Sequence, residues 1–308
     1  MNCLRRSYAV GLFCGKYLVP LSRRQKVLPS VPRAFRRGPV SQHQWIAMGW
    51  SMSFRMLIPP STRDRVELHR SAAEAGKIVL TQVDLTRYLN PPADTPYSLE
   101  YAFHLLGDAK GKRVLDLGCG SGEELVPLLN RGAKVVGIDI SPELISIANR
   151  RVAEAGLNAE IRVGSAYNTE LPGTSVDVIF CMSLIHHLDL KLVKKEMLRI
   201  LRPDGFVVLK EPIRFSRSYD FLRSLLPAGD VDISEYEHPL TKEEFRNFLE
   251  GFRAEGLRFF RLPIEPLAEL LMPATEGPAF KISNWVLKRL PISSRFATIA
   301  AVRLYREP

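Results

Sequence analysis

The chain has 308 residues, 46% of them hydrophobic and 25% charged, with a formal net charge of +10. No apolar run approaches the roughly 18 residues of a membrane-spanning helix, and the four cysteines (Cys3, Cys14, Cys119, Cys181) are scattered, without metal spacing or a disulfide framework. The basic excess is local: residues 1–60 hold ten Lys/Arg and no acid, the first acid being Asp64, so the remainder carries 33 basic against 33 acidic residues. A nucleic-acid substrate needs a basic footprint, and a neutral body argues against one.

In chain order, residues 1–60 read as a basic N-terminal extension ahead of a folded domain at 61–308. The Arg-rich, acid-free, Ser-containing composition is that of an organellar transit peptide. A plain extension and a surface-binding tail are the other readings, and Met48, Met52 and Met56 stand where composition becomes ordinary. The expected location is the cytoplasm, or an organelle matrix if the leader is a transit peptide. Asn90-Pro91-Pro92 reads as a proline turn.

From Lys112 strand and helix patterns alternate, which implies parallel strands joined by crossover helices. Strands are expected at Arg113–Leu117, Lys134–Ile138, Ala159–Val163, Asp177–Met182 and Phe206–Lys210. Helices are expected at Glu123–Asn130, from Ser141-Pro142-Glu143 to about Ala155, and at Leu190–Leu201. Ser141 is placed as N-cap with Pro142 at the first helical position. Arg202-Pro203-Asp204-Gly205 reads as a turn, and Thr241-Lys242-Glu243-Glu244 has capping-box spacing. Leu257–Leu262 and Ala297–Tyr305 read as closing strands. The Pro-rich stretches 212–240 and 264–294 are longer than ordinary connections and read as irregular. Following the fifth strand, the first is placed to form a lid or acceptor pocket, since ligands in open α/β sheets bind beyond the carboxyl ends of strands. A passive surface elaboration is the alternative.

The segment from Val114 to Gly122, with Gly118, Gly120 and Gly122, joins the first strand to a helix. Glycines there let a ligand approach the backbone, and the helix start offers N–H groups and a partial positive charge. A dinucleotide loop would place its third glycine at position 123. Glu123 stands there instead and would face a pyrophosphate unfavourably.

Asp116-Leu117-Gly118-Cys119-Gly120-Ser121-Gly122 resembles the first motif of the Rossmann-like, S-adenosylmethionine-dependent methyltransferases. Val135–Ser141 resembles that family's second strand, Asp177–Phe180 with His186-His187 its fourth strand and loop, and Leu201–Gly205 the turn into its fifth. The nearest likeness is to the type 11 small-molecule subgroup. The resemblance implies an α/β fold: a Rossmann-like, doubly wound, mostly parallel seven-stranded sheet, with helices on both faces and an antiparallel closing strand. It implies S-adenosylmethionine as cofactor, held by Asp116, Gly118, Cys119, Gly120, Gly122, Asp139, Ile140, Ser165, Ala166 and Met182, with Asp139 on the ribose hydroxyls. Relatives often carry an acid after the third strand; here Ser165 and Ala166 stand at that point. Tyr97 and Tyr101 are candidates to cover the cofactor.

The partner implied is a small-molecule acceptor, apolar or aromatic, methylated on O, N or C by in-line displacement. His186, His187 and Glu211 lie at the rim where the methyl group should point. A neutral imidazole there can accept a proton; either ring can equally serve packing, and Glu211 can contact substrate or form a salt bridge. The rival reading is a non-catalytic, cofactor-binding assembly or regulatory factor on the same fold.

Overall fold

The computed structural model describes residues 62–81, 83–215, 238–262 and 276–307. From Arg63 onward they form one compact unit. Its elements are helix α1 (Thr62–Ala75), the single turn α2 (Thr86–Leu89), α3 (Ser98–Leu106), β1 (Arg113–Leu117), α4 (Leu125–Asn130), β2 (Lys134–Asp139), α5 (Pro142–Glu154), β3 (Glu160–Val163) and β4 (Val176–Met182). A 3₁₀ turn at Ile185–His187 follows, then α6 (Leu190–Ile200), β5 (Leu201–Arg214), β6 (Leu240–Thr241), α7 (Lys242–Leu249), β7 (Phe252–Phe260), α8 (Glu276–Arg289), a second 3₁₀ turn at Pro291–Phe296, and β8 (Ile299–Arg306).

The sheet order is β3-β2-β1-β4-β5-β8-β7, with β6 on β5. β1 to β5 pair in parallel, while β8 is antiparallel to both β5 and β7. The expected doubly wound sheet with an antiparallel closing strand is present; the two-residue β6 brings it from seven strands to eight.

Alternation with period two divides the central strands between two cores. Val114, Val178, Phe180 and Val208 face the layer holding Phe103 of α3, Leu125 of α4 and Ala148 of α5. Leu115, Ile179, Val207 and Leu209 face the layer holding Val193 of α6 and Phe245 of α7. Both faces are covered, so these strands read as nearly unbroken apolar runs.

Helix starts follow the expected chemistry. The Ser141 hydroxyl accepts from the Leu144 N–H, with Pro142 next to it, and Thr241 and Glu244 close a complete capping box. Other expectations need correction. α4 begins at Leu125, two residues late, because the glycine turn runs on through Glu124. The turn Arg202–Gly205 is absorbed into β5 as an irregularity between the pairs Val176–Leu201 and Val178–Phe206. The stretches expected to be irregular are partly regular: β5 continues to Arg214, and residues 276–289 are helical, with Ser283 buried and Leu287 packed on the core. The apolar residues of the two long stretches that could border an acceptor, Phe221, Leu222, Leu225, Leu226, Leu267, Leu270, Leu271 and Met272, lie outside the described residues, as does the extension 1–60. Among the described residues no helix is long and apolar enough to cross a membrane, and no cluster of His, Cys, Asp or Glu could hold a metal.

Candidate functional site

β1 ends in three glycines in the left-handed region: Gly118 at φ 74°, Gly120 at 51° and Gly122 at 81°. Side chains with a Cβ rarely adopt this conformation. Space adds a second reason. A Cβ on Gly122 would lie 2.9 Å from the backbone Cα of Ala148, and one on Gly118 would lie 2.7 Å from the tip of Leu184.

The loop's N–H groups are not the open cradle expected from the sequence. Those of Gly118 and Cys119 donate to the Ile138 carbonyl, that of Gly122 to the Cys119 carbonyl, and that of Gly120 to Oδ2 of Asp139 at 2.9 Å. The turn is thus tied to the end of β2 from within. Asp139 is half-buried; its Oδ1 accepts from the Ser141 N–H, and its carbonyl accepts from Gly164. Ile140 follows it, half-buried. From Val114 to Asn130 the chain contains no Lys or Arg, while Asp116, 2% exposed, and Glu123 stand at or beside the loop. The loop's own charged residues are therefore acids.

Sequence reasoning missed Arg151. This buried α5 side chain donates from Nε to the Ser121 carbonyl at 2.9 Å and from Nη1 to the Thr81 carbonyl at 3.2 Å, and stands 3.5 Å from Glu123. It fixes the back of the glycine turn. Its only sequence signal is a basic residue three positions after the small Ala148, which is too common a pattern to find it by.

Ser165, Ala166 and Tyr167 turn away from β3. The Ser165 hydroxyl accepts from the Tyr167 N–H at 3.2 Å, and the Tyr167 hydroxyl accepts from the Asp189 N–H at 2.8 Å, joining this turn to the start of α6. Ala166 packs on the core below.

The second half of the rim is built from β4 and β5. Met182, buried, ends β4, and Ser183 follows at φ 54°, unusual for a residue with a side chain. Two bonds hold it there: its N–H donates to the Lys210 carbonyl at 2.7 Å, and its hydroxyl accepts from the buried Lys210 ammonium at 2.8 Å. Glu211, at 0% exposure, accepts through Oε1 from the N–H groups of Leu184 and Ile185 at 2.8 and 2.9 Å. Its Oε2 lies 2.7 Å from Nδ1 of His186, itself buried. A carboxylate only accepts, so Nδ1 carries the proton and Nε2 keeps its lone pair. Burial pulls the His186 pKa below its ordinary 6.5, against the opposing pull of Glu211. His186 is therefore neutral at physiological pH.

His187 shares a ring contact with His186, centroids 4.0 Å apart, and its Nδ1 stands 3.4 Å from Glu67 of α1, a residue the sequence reading did not single out. His186 and Glu211 thus form one bonded pair, and His187 faces another element. Burial pushes the Cys181 thiol well above its ordinary value, and Cys119 is likewise buried; neither has the exposure of a nucleophile. Tyr101 is directed elsewhere than expected. Its hydroxyl donates to the Gly256 carbonyl of β7, and its ring packs on Phe260. Tyr97 packs against Phe280 under the Arg87 guanidinium.

Residues 114–205 match a family described as a methyltransferase domain. The chain is 31% identical over 154 residues to the ubiquinone biosynthesis O-methyltransferase of Xanthomonas euvesicatoria pv. vesicatoria, covering 47% of this chain and 64% of that protein. It is 30% identical over 162 residues to the protein of the same name from Bordetella avium, covering 49% and 66%. The chain therefore spans just under two thirds of the length of these relatives. Among solved structures, geranyl diphosphate C-methyltransferase from Streptomyces coelicolor A3(2) matches with TM-score 0.56 at 16% identity, covering 81% of this chain and all of that one. The [4+2]-cyclase SpnF matches with TM-score 0.50 at 16% identity, covering 82% and 98%. At such identity these structures speak to the fold alone, and the fold serves more than one chemistry.

Proposed function

The chain carries a Rossmann-like, S-adenosylmethionine-dependent methyltransferase domain, and from this premise we propose that it methylates a hydroxyl of a small, apolar or aromatic acceptor by direct displacement. The observation that carries the proposal is the His186–Glu211 pair standing on the same sheet rim as the glycine turn.

The site's chemistry fits the cofactor. A glycine turn flanked by Asp116 and Asp139, with Arg151 behind it against the Ser121 carbonyl and Glu123, suits a cationic sulfonium and two ribose hydroxyls better than a pyrophosphate. Gly118, Cys119, Gly120 and Gly122 would form the backbone bed, with Asp116 beside it. Asp139 would bind the ribose, and Ile140, Ser165, Ala166 and Met182 would border the adenosine. When bound, S-adenosylmethionine supplies a methyl group on a sulfur that leaves as a neutral thioether.

The chain's own contribution is positioning and proton removal. Nε2 of His186 takes the proton from the acceptor hydroxyl. Nδ1–H stays on Glu211, which holds the tautomer and stabilises the imidazolium that forms. Glu211 acts through His186 and through the Leu184–Ile185 backbone rather than on the acceptor. His187 borders the same space from the α1 side.

The test is label transfer from methyl-labelled S-adenosylmethionine to a panel of phenols and catechols, with calorimetric binding of S-adenosylhomocysteine measured in parallel. Expected are binding, transfer to at least one phenolic hydroxyl, and a loss in kcat of about 10²–10⁴ in His186→Ala with cofactor affinity kept. Binding without transfer to any acceptor would point instead to a cofactor-binding factor without turnover.

A further inference from the structure

Helix α8 packs Leu287 on the core but also turns polar residues inward and exposes apolar ones. Its inward face carries the polar Ser283, 1% exposed, and Asn284, which accepts from Arg258 at 2.8 Å. Its solvent face centres on Trp285, 61% exposed, with Ile282 one turn before it at 47%. Just past the helix, Leu290 and Ile292 stand 54% and 67% exposed. Among the described residues, half of the large apolar side chains that face solvent lie between Ile282 and Ile292. Single exposed apolar residues are ordinary; a cluster marks an interaction surface.

The charges around this cluster choose the partner. From Phe280 to Phe296 there is no acidic residue, and Lys281, Lys288, Arg289 and Arg295 are all exposed. At helical spacing Lys281, Lys288 and Arg289 flank Trp285 on the same face. Asp94, whose carbonyl accepts from Asn284 and from the Lys288 ammonium, is an acid beside this face. Within the stretch itself the charges are all cationic: an indole at the centre of an apolar strip with four cations is the composition of a helix that lies in an anionic lipid interface.

Its place in the fold adds to the case. Ile299 of β8 pairs with Pro212 on one side and with Phe260 on the other, so the end of β7 is level with the residue after Glu211. Just beyond, the Leu262 N–H donates to the Ser283 hydroxyl at the middle of α8. The cluster therefore sits at the same end of the sheet as the His186–Glu211 pair.

We propose that the solvent face of α8 and the following Leu290–Ile292 turn dock on an anionic phospholipid surface, Trp285 and Ile292 entering the interface and the four cations meeting lipid phosphates. This does not depend on the identity of the methyl acceptor.

The chain has three tryptophans, and the other two, Trp45 and Trp50, lie in the basic N-terminal stretch. That stretch could bind anionic vesicles by itself, so the readout must be local. The full chain with Trp45→Phe and Trp50→Phe leaves Trp285 as the sole indole. With vesicles of phosphatidylcholine and phosphatidylglycerol, its emission should shift to shorter wavelength and be quenched by acyl-brominated lipid. Phosphatidylcholine alone should give neither effect. Lys288→Glu with Arg289→Glu should weaken the titration by at least roughly fivefold per charge, with S-adenosylhomocysteine binding unchanged as the check on folding. An unchanged Trp285 emission while the protein sediments with anionic vesicles would overturn the proposal, assigning binding to the leader. So would a shift that depends on protein concentration without lipid, which would assign the face to a second copy of the chain, or an equal response to both vesicle types.

Discussion

At the carboxyl ends of β1 and β2 the backbone shapes the rim, through three left-handed glycines, carbonyl and carboxylate acceptors for their N–H groups, and Arg151 behind. At the ends of β4 and β5 buried side chains shape it: Glu211 gathers two backbone N–H groups and one imidazole, and Lys210 holds Ser183 in an uncommon conformation. The first arrangement rejects any added side chain and can hold a ligand without committing to its chemistry. The second depends on particular polar atoms and is suited to moving a proton. Leu184 joins them: its side-chain tip lies against Gly118, and its N–H donates to Glu211.

The sharpest way to test this contrast is Glu211→Ala. It leaves the buried Ile185 N–H, the half-buried Leu184 N–H and the His186 Nδ1–H without their acceptor, and should cost about 3–5 kcal/mol of stability, read by urea unfolding. A loss below about 1 kcal/mol would mean that water replaces the carboxylate and that the side-chain half is not built as described.

Next in size is the difference between two glycines. Gly122→Ala meets the Ala148 backbone as well as a left-handed φ, and should cost about 2–4 kcal/mol. Gly118→Ala meets only the flexible end of Leu184, and should cost about 1–2 kcal/mol. Leu184→Ala added to the latter should relieve part of that cost. Equal melting temperatures for the two glycine variants would contradict the distinction between rigid and yielding neighbours.

Asp139→Ala should lower affinity for S-adenosylmethionine and S-adenosylhomocysteine alike, by about 1.5–3 kcal/mol in calorimetry, since both carry the ribose. A change under about twofold would remove the carboxylate from the binding half. The smallest expected effect is on pH. The proposed role of His186 as base makes its neutral form the active one, and burial lowers its pKa, so on that proposal kcat should be flat through neutrality and decline only below the ordinary histidine value of 6.5. A decline beginning above 6.5 would mean that another group sets the profile.

The same contrast explains what the sequence made legible. Glycine spacing, the end of β2 and the Ser141 and Thr241 caps are local signals, because residues a few positions apart determine each conformation. The Glu211–His186 bond spans 25 positions and the Arg151–Ser121 bond 30, and nothing in a linear pattern distinguishes those partners from other rim residues. His186 and Glu211 could be placed on one rim from topology, but not joined. Glu67 could not be placed at all, since α1 precedes the first motif. The helix in the second half of the stretch at 264–294 is hidden for a related reason: α8 buries Ser283 beside Leu287 and turns Trp285 outward, so an inside-outside pattern is a poor guide to it.

The order in which the sheet is threaded has a consequence for how the protein is made. β7 is joined to the rest of the sheet by β8, which comes later in the chain than every other strand and sits between β5 and β7. During synthesis from the amino end, β1 to β5 can assemble while the edge of β5 stays open, and β7 has no neighbour to register against until Ile299–Arg306 emerges. A translating ribosome would thus hold a half-closed sheet with an adhesive edge for the time needed to add some ninety residues, a few seconds to about twenty at ordinary elongation rates. Stalling in that interval would hold, and a premature stop before Ile299 would release, a chain that carries the whole glycine turn and still lacks the strand that closes the sheet.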